Sequence, residues 1–232
     1  MFNTATAIAA EQAGADRIEL CENYANGGST PSYGYLKPVR EKISIAVFPM
    51  IRPRGGDYFH TKDEIEIILK DILLCKELQF EGVVFGLLNQ DGSIDQENTA
   101  RLVEAAYPLD VTFHRAFDRC KDPLESLETL IQCGCTRVLT SGQHPKVTDG
   151  LPLVKTLVEQ ANDRIIIMPG SGLNSSNVKD IIDTAGVTEV HTSARIRIPS
   201  TTAFRNPLMP EDFDIDFVDA NEIKKIKSII NQ

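Results

Sequence analysis

One seven-residue device occurs three times along the chain: G-A-D-R-I-E-L from Gly14, G-C-T-R-V-L-T from Gly134 and G-V-T-E-V-H-T from Gly186. Each copy follows a stretch that favours helix and opens on a glycine able to close that helix in the left-handed conformation. A brief turn then leads into β-branched and apolar residues. Further apolar strands begin near residues 45, 81, 110 and 164, with helical patterns between them that open on cap residues such as Thr61, Asp95, Asp122 and Asn174. Strands starting near 17, 45, 81, 110, 136, 164 and 188 are spaced by about 30 residues, the size of one βα unit.

This regular alternation, with no composition break and no glycine-rich dinucleotide fingerprint after the first strand, predicts an α/β fold of the TIM-type (β/α)8 barrel class rather than a doubly wound sheet. Residues 1–232 are read as a single barrel domain, with an irregular tail over about 197–218 and a last helix over about 219–231. Only seven strands are readable, because the chain opens on a helix and the strand that should precede it is missing. A start placed too late or a shortened product explains that count, since an open seven-stranded barrel would leave two unpaired edges.

In such a barrel, ligands collect at the carboxyl ends of the strands. The stretch D-V-T-F-H-R-A-F-D from Asp110 is apolar at its start and carries His114, Arg115 and Asp118 toward its end. Laying the three glycine-anchored copies in register puts Ile18, Val138 and Val190 on the parity facing the outer helices. Glu19, Cys21, Leu139, Ser141, His191 and Ser193 then fall on the inward parity. Glu19, Arg52, His114 and His191 are therefore the candidate catalytic groups, with Glu19 or a histidine as base. Arg52 and Arg54 bracket Pro53 and precede Gly55 and Gly56, a turn able to present two guanidinium forks to one anion; the alternative is that they hold neighbouring carboxylates such as Glu19 or Asp118. With Arg54 and Arg115, the loop residues Gly170, Ser171 and Gly172 and then Ser193 form the candidate anion-binding set, because the last two βα loops commonly hold phosphate.

A net charge of −9 argues against nucleic acid or an anionic membrane surface as the main partner. No apolar run reaches the roughly 20 residues needed to span a membrane, and no leader pattern precedes the first helix, which predicts a cytoplasmic protein. Five cysteines without a secretory signal are read as free thiols. Cys21, on the inward parity, is the thiol best placed for chemistry, and a soft thiolate beside imidazoles suits Cu(I) or Zn(II). No lysine ends a strand, and no nucleophile elbow, P-loop or paired C-x-x-C occurs, which removes Schiff-base aldolases and several hydrolase and nucleotide-binding classes.

At these residues the sequence closely resembles the CutC family, known as copper homeostasis proteins. The resemblance runs from Gly14–Cys21 through G-G-S-T-P-S-Y-G from Gly27, I-R-P-R-G-G-D from Ile51, V-T-F-H-R-A-F-D from Val111, L-T-S-G from Leu139, M-P-G-S-G from Met168 and E-V-H-T-S-A-R from Glu189. It implies a TIM barrel, a cytoplasmic location, binding of monovalent copper, a role in copper handling and assembly into homo-oligomers. Of the family's two proposed copper thiolates, one matches Cys21 and the other lies in the first strand that this sequence lacks, so Cys21 is the metal candidate. Two functional readings stay open: a copper-binding homeostasis protein, and a barrel enzyme acting on a small anionic, phosphorylated or carboxylated, metabolite.

Overall fold

The computed structural model describes residue 1 and residues 3–231. Helices and strands alternate as α1 (Thr4–Gln12), β1 (Arg17–Leu20), α2 (Tyr33–Lys42), β2 (Ala46–Pro49), α3 (Lys62–Glu77), β3 (Gly82–Phe85), α4 (Gln96–Ala106), β4 (Asp110–Phe113), α5 (Pro123–Cys133), β5 (Arg137–Thr140), α6 (Val147–Ala161), β6 (Ile166–Pro169) and α7 (Val178–Ala185). Local chemistry marks the boundaries. Thr61 and Glu64 form a reciprocal capping box at the start of α3, and Asp122 caps α5, which begins on Pro123 and closes on Gly134 at φ 85°. The start expected at Asn174 is displaced. The Asn174 side chain folds back onto the Ser176 N–H at 2.9 Å, making a turn, and α7 begins only after Asn177.

The strands are parallel and stand beside one another in chain order. β1 pairs with β2; the Met50–Val84 bridge and the Ile51 N–H to Val84 carbonyl bond (2.7 Å) join β2 to β3; β3 to β6 form one continuous ladder. The order never reverses, so there is no switch point of the doubly wound kind, and the strands curve into the wall of a TIM-type barrel. Beyond β6 the expected seventh strand near residue 188 differs from its prediction. The stretch 187–194 lies against β6, with the His191 N–H donating to the Pro169 carbonyl at 2.9 Å, but it forms no ladder.

The tail expected to be irregular carries no helix or strand over 199–214, but its two ends pair as a hairpin. β7 (Arg195–Ile198) runs antiparallel to β8 (Ile215–Val218), and α8 (Ala220–Ile230) follows. This hairpin was hidden because its strands are short and rich in charge. Its pairing is reinforced by cross-strand ions, Arg195 with Asp216 at 3.0 Å and Arg197 with Asp212. Among the described residues no helix is long and apolar enough to cross a membrane.

Strand alternation sorts the core into two layers. Ile18, Leu20, Val47, Val83, Val111 and Val138 pack outward against helix residues such as Ile68, Leu102, Leu127 and Val154, while Cys21, Phe48, Met50 and Val84 form a separate cluster on the opposite parity, inside the wall. The inward and outward sets therefore follow the period-two register of the glycine-anchored copies.

Candidate functional site

The floor of the barrel is built by residues the sequence reading passed over. Each glycine-anchored copy carries a charged residue three positions after its glycine, and these are Arg17, Arg137 and Glu189. They meet inside: the Glu189 carboxylate accepts from Arg17 at 2.5 Å and from Arg137 at 2.9 Å, and Arg137 also reaches Asp110 at 2.9 Å. The Phe48 ring lies under both guanidinium groups, 5.1 and 5.3 Å from its centroid. Gly82 makes room for that ring, because a Cβ there would stand 2.5 Å from its edge. Extending the inward parity back by two residues would have revealed the set, two cations and one anion at equivalent positions.

Above this floor, the groups that follow the strand ends share one rim but divide into local clusters. Arg52, 2% exposed, lies beyond β2 and donates to the carbonyls of Asn26 (2.7 Å), Gly28 (3.1 Å) and Gly56 (2.7 Å), so it pins two loops. Its guanidinium stacks on Tyr58 at 4.7 Å, and Tyr58 meets the His114 ring edge-on at 5.0 Å. His114 Nδ1 accepts the Ala116 N–H at 3.2 Å, and burial together with the Arg52 charge pushes the imidazole down to about 3. The ring is thus neutral, with its proton on Nε2, and it offers a donor rather than a base. Among the described residues neither His114 Nε2 nor Arg52 Nε, both buried, meets a hydrogen-bond acceptor.

Arg54 does not join Arg52. It grips Glu64 at 2.5 Å and Asp57 at 3.0 Å, fastening the loop to the start of α3. Arg115 is held by Asp118 at 2.6 Å and by the Ser141 hydroxyl at 2.6 Å. Asp118 in turn accepts from the Thr140 hydroxyl (2.6 Å) and the N–H groups of Ser141 (3.0 Å) and Gln143 (3.1 Å), which locks the loop after β4 to the loop after β5.

After β6, Gly170 is buried against Leu139 and His191, while Ser171 and Gly172 both turn through φ 76°. The Ser171 hydroxyl donates to the Pro145 carbonyl at 2.7 Å. Among the described residues the backbone N–H groups of Ser171, Gly172 and Ser193 have no acceptor, and Ser193 is exposed. Nearby, the Ser175 N–H (2.5 Å) and hydroxyl (2.9 Å) are taken by Glu222 of α8.

On the remaining side stand Glu19, Cys21 and His191. Burial pushes the His191 imidazole below its ordinary value, and the nearby Glu19 carboxylate opposes that shift. Cys21 is 7% exposed, and burial pushes its thiol up to about 11. Cys75, Cys120 and Cys135 belong to the outer core, whereas Cys21 lies in the inner cluster with Met50. Among the described residues no three His, Cys, Asp or Glu side chains gather closely enough to hold a metal ion.

The fold has close counterparts. The CutC family profile matches residues 1–196. The human copper homeostasis protein cutC homolog is 44% identical over 231 residues, which cover 97% of this chain and 85% of that protein. A CutC family protein of Parabacteroides distasonis is 50% identical over 206 residues, 88% of this chain and 84% of its own length. The crystal structure of CutC from Streptococcus agalactiae superposes with a TM-score of 0.79 at 36% identity, covering 83% of this chain and 95% of that one. Phosphoribosylanthranilate isomerase from Thermotoga maritima (TM-score 0.60, 14% identity) shares the barrel alone. Both the sequence profile and the similarity to these relatives extend across the strand ends that build the rim, and the chain belongs to the CutC family.

Proposed function

We propose that this protein takes part in copper homeostasis in the cytoplasm, binding monovalent copper through Cys21 on the inner wall of the barrel. The observation that carries this reading is the segregation of Cys21 from the other buried thiols of the outer core into the small inner cluster next to the rim. A soft monovalent d¹⁰ ion prefers sulfur and accepts few ligands, which is the chemistry a buried thiol such as Cys21 offers. The test is an anaerobic titration with Cu(I) against a competing chelator. Tight binding lost in Cys21→Ser supports the reading, and equal affinity of the two proteins sinks it.

A second reading, an enzyme acting on a small anionic metabolite, is favoured by the two buried donors without acceptors, Arg52 Nε and His114 Nε2, and by the free N–H groups of Ser171, Gly172 and Ser193. The two buried donors, Arg52 Nε and His114 Nε2, are costly to leave unpaired and are stabilised by an incoming oxyanion. Here His114 and Arg52 bind, and Glu19 with His191 supplies the basic pair. A thermal-shift screen with phosphate, sugar phosphates and carboxylates tests it; no stabilisation by any of them rules it out. Assembly into homo-oligomers belongs to either reading and is measured by light scattering.

A further inference from the structure

We propose that the Met50 thioether is the partner of Cys21 in a two-sulfur site for a soft monovalent ion, an inference that rests on the copper reading above and names its second ligand. Parallel register brings the two together. Leu20 of β1 stands opposite Pro49 of β2, so the next residues on each strand, Cys21 and Met50, leave the sheet side by side, at the roughly 4.8 Å spacing of neighbouring strands. Both side chains belong to the inner cluster, with only Phe48 and Val84 as its other buried members. The cluster therefore offers two sulfurs, with the Met1 amino group as the polar neighbour of the Cys21 thiol, and sulfur is the donor chemistry that selects Cu(I) over harder ions.

Gly28 leaves a niche against this pair. At φ 91° it packs against both side chains, and a Cβ there would lie 3.5 Å from Cys21 Cβ, 3.5 Å from Met50 Cε and 3.8 Å from Cys21 Sγ. The glycine turn is held in place by Arg52, whose guanidinium binds the Asn26 and Gly28 carbonyls at 2.7 and 3.1 Å. In this arrangement Arg52 is a positioning residue for the sulfur pair. On binding, the Cys21 S–H bond breaks, a copper–sulfur bond forms and one proton leaves for solvent, with no change of oxidation state.

The experiment loads the full chain with Cu(I) under a competing chelator, comparing the natural protein with Met50→Leu and Cys21→Ser. Leucine nearly conserves the volume of methionine, and urea unfolding of each variant verifies that the fold is retained. The expected result is at least a tenfold loss of affinity in Met50→Leu, and a sulfur count by X-ray absorption that falls from two to one. In protein grown with selenomethionine, a copper–selenium distance appears and is lost in Met50→Leu. Unchanged affinity and sulfur count in Met50→Leu, with Cys21→Ser inactive, overturn this proposal and leave the copper reading standing. Natural affinity in Cys21→Ser overturns both.

Discussion

Replacing Glu189 by glutamine removes the one anion that two interior arginines share, and its cost can be worked from the geometry. The carboxylate lies 2.5 Å from Arg17 and 2.9 Å from Arg137, and the three side chains are only 24, 22 and 10% exposed. At an effective dielectric near 20, each such pair is worth about 4 kcal/mol of gross attraction, most of it offset by desolvation of the ions. Breaking a buried pair by removing one partner costs about 3–5 kcal/mol, because a charge is left without compensation. Arg137 keeps Asp110 at 2.9 Å, both guanidinium groups keep the Phe48 ring, and Glu189 is about a quarter exposed, so the expected loss falls to about 2–3 kcal/mol.

The pH dependence identifies charge as the cause. Desolvation raises the Glu189 pKa, but the hydrogen bonds and charges of Arg17 and Arg137 outweigh it and hold the group below the ordinary carboxylate range. A depressed acid contributes stability above its unfolded pKa, about 4.3, and loses it as pH falls through the folded value. Urea unfolding followed by circular dichroism should therefore show the largest gap between the natural protein and Glu189→Gln at pH 7, narrowing on acidification below pH 4. A gap under about 0.5 kcal/mol at pH 7, or one that does not narrow, would falsify the reasoning.

Further consequences can be measured at other positions. His114, held at about 3, should show no imidazole titration by nitrogen NMR between pH 8 and 4; since its unfolded value is about 6.5, its contribution to stability should be flat above that pH and fall by about 1.4 kcal/mol per pH unit as pH drops from about 6.5 towards 4, a slope absent in His114→Gln. A midpoint near pH 6 would contradict the burial of the ring. Gly82→Ala places a Cβ 2.5 Å from a ring that lies under two guanidinium groups and should cost about 3 kcal/mol by thermal unfolding, partly relieved by Phe48→Leu in the same chain; simple additivity of the two changes would count against the clash. Asp118→Asn, at a carboxylate 2% exposed that accepts from Arg115, Thr140, Ser141 and Gln143, should cost about 2–4 kcal/mol and loosen amide exchange in both loops it joins; an unchanged melting temperature would refute the lock.

What the sequence determined by itself was the barrel and its two faces. Helix closure at Gly14, Gly134 and Gly186 and the period-two alternation after each are local properties, so the parallel wall, the outward placement of Ile18 and Val138 and the inward placement of Cys21 could be read without coordinates. Pairing across the barrel could not. The sequence cannot say that Arg54 turns to Glu64, that Arg115 closes on Asp118, or that Ser175 finds Glu222 in the last helix, because each partner is chosen by loop geometry and not by spacing. The hairpin in the tail was hidden for a related reason: strands of four charged and apolar residues gain their stability only from the strand they meet. Tertiary structure also decided the chemistry at the rim. Whether His114 is a base or a donor depends on the Ala116 N–H and the burial around it, and whether Cys21 has a sulfur neighbour depends on the register that lays β1 against β2. Those are facts of neighbourhood, and a linear pattern carries neighbourhood only where the fold repeats.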